Sequence, residues 1–309
     1  MIMNPLVSIA LCTYNGEKFL IKQLDSLLSQ EYANIEIIAV DDCSSDKTWN
    51  ILRDYGLKDK RLRIYRNDKN IGYARNFERA IKLCSGDYIA LADQDDIWEK
   101  SKIKVMIGSV EDHVMVYHNS DFIDEHDKRI GNSTMASKHR MYDGESCLPI
   151  ILANCIHGHA ILFDSTIRKF LFPFRGKFSH DWAICYVAFN IGSVKYIDKV
   201  LAHYRQHPNS ITDFLGRRER VAASKKTRNL ERLPVNTDWL NYCLKFKYKR
   251  EPALVNEACT LFSDLTKGKN KLMCFIFMMK YFDLLFYTMG HKKRGFFSKI
   301  NFVRKLCFS

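Results

Sequence analysis

Three carboxylates stand within four residues at Asp93-Gln94-Asp95-Asp96. They follow an apolar run, Tyr88-Ile89-Ala90-Leu91-Ala92, and precede Ile97-Trp98. The run has the length and apolarity of a buried strand. Acids crowded at the end of such a strand repel one another and are costly to desolvate. A bound divalent cation is the simplest arrangement that makes them favourable. A solvated acidic turn that caps the next helix is the other, and the stretch alone leaves both open.

The elements that must position these acids are legible upstream. Leu6–Cys12 reads as a buried strand that breaks at the turn chemistry of Thr13-Tyr14-Asn15-Gly16. Phe19, Leu20, Leu24, Leu27 and Leu28 then share one helical face. Ile35–Val40 is a second strand ending in Asp41-Asp42, and Ser44-Ser45 open a helix that closes at Gly56. Arg61–Tyr65 is a third strand. Gly72 opens a third helix with Phe77, Ala80, Ile81 and Cys84 on one face. Strand–helix alternation of this kind predicts an α/β fold, a parallel sheet covered on both faces. Ligands of such sheets bind beyond the carboxyl ends of the strands. Polar groups gather at those ends here: Thr13, Asp41-Asp42 and the acidic turn. Their convergence favours the cation over the solvated turn.

Farther on, Val114–Tyr117 reads as a strand and 124–145 as a polar, irregular excursion. His157–Phe163 reads as a strand that opens with His157, Gly158 and His159. His180-Asp181-Trp182 enters a helix, and Val194–Ile197 with Val200–Arg205 reads as a closing strand pair. After about residue 213 the composition shifts, with a basic run from Arg217 to Arg228, a helical segment at 236–265, and an apolar stretch at 271–288 flanked by lysines. In that stretch Lys280, Asp283 and Tyr287 fall on one helical face; Phe275, Met279, Phe282 and Phe286 fall on another. Charges near its middle argue against a simple transmembrane span. The pattern fits a helix lying on an anionic membrane surface or a packed core helix.

The chain has 309 residues, a formal net charge of +13 and a hydrophobic share of 47%. That length holds one large domain or one domain with an appendage. The charge implies an anionic partner: nucleic acid, membrane or phosphorylated small molecule. Ten cysteines without paired spacing imply a reducing compartment. The first residues lack a basic region followed by a long apolar core, so no signal peptide is expected.

The chain resembles the family 2 glycosyltransferases of GT-A fold, and within them bacterial transferases of surface polysaccharides, rhamnosyltransferases included. The resemblance is carried in order by Val7–Asn15, Val40–Asp46, Asn70–Asn76, Asp93–Trp98, His180–Trp182 and Tyr204–His207. It covers roughly the first 210 residues. It implies a Rossmann-like GT-A domain over 1–213, with a mostly parallel central sheet and helices on both faces. The nucleotide-sugar half would span about 1–98 and the acceptor half 99–213. A basic helical region, 214–309, would follow, associated with the membrane.

The implied chemistry is an inverting transfer of a sugar from a nucleoside-diphosphate sugar (dTDP-, UDP- or GDP-linked) to a hydroxyl of a lipid-linked or oligosaccharide acceptor. By resemblance Asp95 is the metal ligand for Mg²⁺ or Mn²⁺, with His207 reaching the metal or the diphosphate. Asp93 contacts the ribose or the metal shell, Asp42 and Thr13 the base, and Asn76 the donor. Asp181 is the general base. His157, Gly158 and Trp182 line the acceptor site. The implied place of work is the cytoplasmic, inner face of a bacterial plasma membrane. Two other readings use the same residues. A sugar-phosphate nucleotidyltransferase would need a glycine-rich basic loop where Thr13–Gly16 stands. A non-catalytic membrane or nucleic-acid binder would use the net charge, but the basic clusters lie in the tail, away from the acidic strand ends, so nucleic acid is not expected.

Overall fold

A computed structural model of the chain describes residues 4–174, 178–207, 236–289 and 294–308. The basic run at 217–228, the junction near 213 and Lys292-Lys293 lie outside the described residues. Strands β1 (Val7–Thr13), β2 (Ile35–Asp41), β3 (Leu62–Arg66) and β4 (Tyr88–Asp93) alternate with helices α1 (Leu20–Leu28), α2 (Thr48–Lys58) and α3 (Tyr73–Leu83). The strands pair in parallel in the order β3-β2-β1-β4. β1 and β2 are buried at every position, which is why both read as mostly apolar runs, interrupted only by Ser8 and Glu36 before their polar ends. Side chains alternate between the two faces. Ala10, Ile38 and Leu91 meet Phe77 and Ile81 of α3 on one; Ile9, Ile37 and Ala90 meet Leu20 and Leu24 of α1 on the other.

The chain continues through β5 (Ile97–Trp98), α4 (Lys102–Ile107), β6 (Met115–Ile123), β7 (Arg129–Thr134), α5 (Met135–Lys138), α6 (Leu148–Leu152), β8 (Ile161–Asp164), α7 (Arg168–Leu171), α8 (His180–Ile191) and β9 (Val194–Arg205). The sheet extends as β4-β8-β6-β9-β5, with β7 on β6. β8 runs antiparallel to both neighbours, while β6 and β9 are parallel. The expected α/β architecture is present, with its second half mixed. Two local expectations change. The anticipated strand pair at 194–205 is one bent strand, because register slips beside His118 and Asn119 absorb the bend that would otherwise require a turn. His157 leads into a single tight helical turn at Gly158–Ala160, and β8 starts only at Ile161.

Among the described residues five α-helices follow: α9 (Thr237–Lys245), α10 (Pro252–Thr266), α11 (Lys271–Lys280), α12 (Phe282–Leu285) and α13 (Phe296–Phe308). They share one apolar cluster with the sheet. Trp239 of α9 anchors them: its ring lies 4.8 Å from Trp182 and 5.4 Å from Tyr186, and its indole N–H donates to Ile151 O at 3.0 Å. The 271–288 stretch breaks at Tyr281 between α11 and α12. Of the two readings of this stretch, Phe282 and Phe286 follow the packed-core one: they pack on Phe302 of α13 at 6.0 and 5.1 Å. Among the described residues no helix is long and apolar enough to cross a membrane.

One backbone crossing holds the first layer together. At Gly86, where the chain enters β4, an added Cβ would sit 2.6 Å from Leu6 O and 2.8 Å from Ser8 N. Those neighbours are main-chain atoms of the strand start, so they cannot step aside cheaply. Gly86→Ala is expected to destabilise the protein by about 1–3 kcal/mol. Chemical denaturation checks it, and an unchanged midpoint would show that the strand start can shift.

Candidate active site

The register places the expected residues at one rim. Cys12 pairs with Asp93 and Thr13 with Asp41, so the carboxyl ends of β1, β2 and β4 are level. The acidic turn is then clamped from three directions. Gln94 accepts from Tyr14 N at 2.8 Å and donates to Tyr14 O at 3.0 Å, which fixes the Thr13–Gly16 turn against it. Gln23 of α1 donates to Asp93 O at 2.9 Å. Arg205, fully buried at the end of β9, donates its main-chain N–H to Asp96 at 3.0 Å and its Nε–H to Asp95 O at 2.6 Å. Its guanidinium pairs with Asp127 at 2.6 Å and lies over Phe19. Arg205 is thus committed to protein groups, not open to a phosphate.

Asp95 and His207 meet directly: the Nε2 of His207 lies 2.9 Å from a carboxylate oxygen of Asp95. Beneath them, Asp93, Asp96 and His159 each offer one atom to a point where all three atoms lie within 4.8 Å of one another. Burial and the charges of Asp95 and Asp181 raise the Asp93 carboxyl to about 7. Asp96, wholly buried, is raised well above its ordinary range by burial and then by Asp95 and Asp93, and one of its oxygens has no hydrogen-bond partner. His159 is held neutral by burial, with Nε2 at 2.9 Å from Ser120 Oγ. Lys102 is buried below: it donates to His159 O at 2.6 Å and sits 3.3 Å above the Trp98 ring. Burial pushes its ammonium well down, against the pull of Asp96 and Asp93. Acids that resist ionisation, an unsatisfied carboxylate oxygen and the neutral imidazole of His159 form a group that could hold a metal ion.

The groups expected at the base form a second network. Asp42 accepts from Asn67 Nδ2 at 2.6 Å and from the main-chain N–H groups of Ile71 and Gly72, both at 2.9 Å. Gly72 has φ 86°, a conformation that only glycine adopts without strain. Asp42 therefore shapes the loop that launches α3. Thr13 donates to Asp41 at 3.1 Å. Asn76 is buried, donating to Val40 O at 2.8 Å and accepting from Asn67 at 2.9 Å. It braces the loop from beneath and is not open to a ligand.

Asp181 lies in the first turn of α8, half-buried, and accepts from Trp182 N at 2.7 Å. Its charge reaches Asp93 and the exposed Tyr73 of α3, raising both. Gly158 lets the preceding loop approach this helix start: a Cβ there would lie 3.3 Å from His180 Nε2 and 3.8 Å from the Cβ of Asp181. His157 and His180 are held neutral by burial, each lowered to about 4. His180 stacks on Phe77 at 4.0 Å. Trp182 is tied inward, its indole N–H donating to Ile150 O at 2.5 Å and its ring against Trp239. Its indole is committed to packing. The structure thus gathers Asp93, Asp95, His207, His157, Gly158 and Asp181 at the rim, and sets Thr13, Asn76 and Trp182 in supporting positions.

Sequence reasoning passed over Lys102 and Asn67, and gave His159 no place beside the acids. Only Asn67 carried a local signal, a polar residue directly after β3 in line with the other strand ends.

The strain at Asp93 gives a sign that can be measured. Its carboxyl is raised from 3.8 to about 7, so ionisation opposes folding. That opposition is absent below the lower value, grows between the two and is complete above the upper one. Cation-free Asp93→Asn should therefore be more stable than the cation-free wild type at about pH 8, by ~1–3 kcal/mol. The gap should close as pH falls toward about 4. Calorimetry in chelator checks this; equal melting across the range would show that the acids are not in tension.

The family model of glycosyl transferase family 2 matches residues 8–171. WfaP of Escherichia coli, a UDP-Glc:alpha-D-GlcNAc-diphosphoundecaprenol beta-1,3-glucosyltransferase, is 30% identical over 210 residues, 67% of this chain and 80% of that protein. An uncharacterised glycosyltransferase of Rickettsia typhi is 31% identical over 216 residues, 68% of this chain and 67% of that protein. Among solved structures, S. aureus TarS 1-349 in complex with UDP-GlcNAc matches with a TM-score of 0.58 at 17% identity, over 91% of this chain and 81% of that chain. This last likeness carries the fold, which is the GT-A fold. The family match runs through β1, β2 and the acidic end of β4, and sets aside the nucleotidyltransferase and non-catalytic readings. The chain belongs to glycosyl transferase family 2 and is a glycosyltransferase.

Proposed function

We propose that this glycosyltransferase moves a sugar, with inversion, from a nucleoside-diphosphate sugar to a hydroxyl of a growing lipid-linked surface glycan. The work would be done at the inner face of a bacterial plasma membrane. The observation that carries the reading is the rim itself: Asp95 and His207 in contact at 2.9 Å, Asp93 beside them, and Asp181 close enough to perturb Asp93. The names of WfaP and of the TarS complex support a nucleotide-sugar donor, and that of WfaP a lipid-linked acceptor.

Asp95 and His207 would hold Mg²⁺ or Mn²⁺, with Asp93 in reach. The carboxylate oxygens of this set suit either ion. Such an ion supplies Lewis-acid stabilisation to the departing diphosphate. The Asp42-braced loop and the Thr13 turn wall the base side of the cleft. Asp181, in the first turn of α8, would accept the proton of the acceptor hydroxyl. Attack from the Asp181 side, opposite the leaving diphosphate, inverts the anomeric centre. Gly158 and His157 leave the acceptor an approach to Asp181.

A thermal-shift screen of UDP-, GDP- and dTDP-sugars with and without Mn²⁺ tests the donor. Stabilisation by one nucleotide class, dependent on the ion, is expected; none at all would remove the donor reading. Asp95→Asn should abolish the ion-dependent shift. Asp181→Asn should retain it while turnover drops by a factor on the order of 10²–10⁴. Full turnover in Asp181→Asn would assign the proton to another group.

A further inference from the structure

The C-terminal helices leave apolar surface that the protein does not cover. On α11, Leu272 is 64% exposed, Met273 54% and Ile276 51%. At the start of α13, Phe296 is 66% exposed and Phe297 83%; at its end, Phe308 is 47% exposed. These are not the residues that periodicity alone would choose, because α13 takes Phe282 and Phe286 into the interior. α11 and α13 pair antiparallel. Cys307 lies 3.9 Å from Met278, the rings of Phe275 and Phe308 are 6.1 Å apart, and Asp283 bonds Lys299 at 2.7 Å. The exposed apolar residues therefore sit at both ends of one helical pair. Adjacent phenylalanines left in water are unfavourable, and a cluster of this kind marks an interaction surface.

The charge around the pair states what kind of surface it meets. From Lys267 to the end the chain carries ten Lys or Arg and a single acid, Asp283. Lys299 already engages that acid. A second copy of the chain would bring the same cations against these and be repelled. An anionic bilayer offers apolar depth for the phenylalanines and headgroup charge for the lysines.

The pair is also coupled to the acceptor side. α12, which continues α11, lies on α6. α6 accepts the indole N–H of Trp182 through Ile150 O, and its chain runs on into the His157–Gly158 loop. Two short helices in series, α12 and α6, thus link the uncovered pair to the residues around Asp181.

We infer that the α11–α13 pair is an interfacial anchor for an anionic lipid surface, with Leu272, Ile276, Phe296 and Phe297 entering the bilayer and the surrounding lysines on the headgroups. Its use for a lipid-linked acceptor rests on the proposed function; its existence does not. The test is co-sedimentation of the full chain with vesicles of phosphatidylglycerol and phosphatidylcholine, against vesicles of phosphatidylcholine alone. Binding to the anionic vesicles, weakened by salt, is expected. Phe296→Ser/Phe297→Ser and Leu272→Ser/Ile276→Ser should each lower it by a factor on the order of ten or more. Their melting temperature, and any thermal shift given by nucleotide-sugars without vesicles, should match the wild type. Wild type that ignores both vesicles, or variants that bind as well as wild type, would overturn the anchor. So would self-association of the wild type that the same variants abolish. Vesicle binding without any nucleotide-sugar shift would leave the anchor standing and remove the donor reading instead.

Discussion

A buried guanidinium makes the acidic rim possible. Arg205 lies at the end of β9, fully enclosed, and reaches across to the turn that ends β4. Its bonds take up the main-chain oxygen of Asp95 and the carboxylate of Asp96, and its charge is balanced by Asp127 from the loop after β6. Arg205 is enclosed while the side chain of Asp127 is 29% exposed, so the pair adds little net stability relative to apolar packing, yet removing Asp127 would leave the guanidinium buried without its counter-charge, at a cost of up to about 3–5 kcal/mol. Its contribution is therefore geometric. It ties the first half of the sheet, which carries the acids, to the last strand of the second half. His207, two residues further on, is delivered to Asp95 by the same tie.

The same logic recurs on a smaller scale around the rim. Gln94 holds the first turn through both ends of one amide, and Asn67 links Asp42 to Asn76. Gln94 satisfies main-chain groups of a neighbouring strand end, and Asn67 satisfies side chains of a strand end and a helix. Buried polar groups tolerate few alternative arrangements, so such links fix loops that apolar packing would leave free to slide. A cleft built at the ends of parallel strands needs this, since the strands themselves stop where the ligand begins.

The fold was legible in sequence where periodicity was strong. β1, β2, β4 and α3 declare themselves through continuous or face-patterned apolar residues. So do the acids of the rim and Asp181, because a charge at a buried strand's end or in a helix's first turn has a local physical meaning. What stayed hidden depended on distant partners. Nothing near Arg205 shows that its guanidinium faces Asp127 and not a phosphate. Nothing near His159 shows that β8 will carry it to Asp96. Trp182 reads as an acceptor-site residue until Trp239, more than fifty residues later, packs against it. The face that the 271–288 stretch presents is likewise decided by α13. Periodicity shows that a face is apolar, but which protein surface covers it is settled by tertiary packing.

Several residues at and beneath the acidic rim are held uncomfortably. Asp93 and Asp96 resist ionisation, Lys102 is buried without a carboxylate at salt-bridge distance among the described residues, and His180 keeps both ring nitrogens without a hydrogen-bond partner. Elsewhere the same chain satisfies its polar groups closely, as Asp41, Asp42 and Asn76 show. Selection for stability alone would relax these sites, since neutral isosteres would fold at least as well. Their persistence together at one rim is explained if binding a cation and a diphosphate relieves the tension.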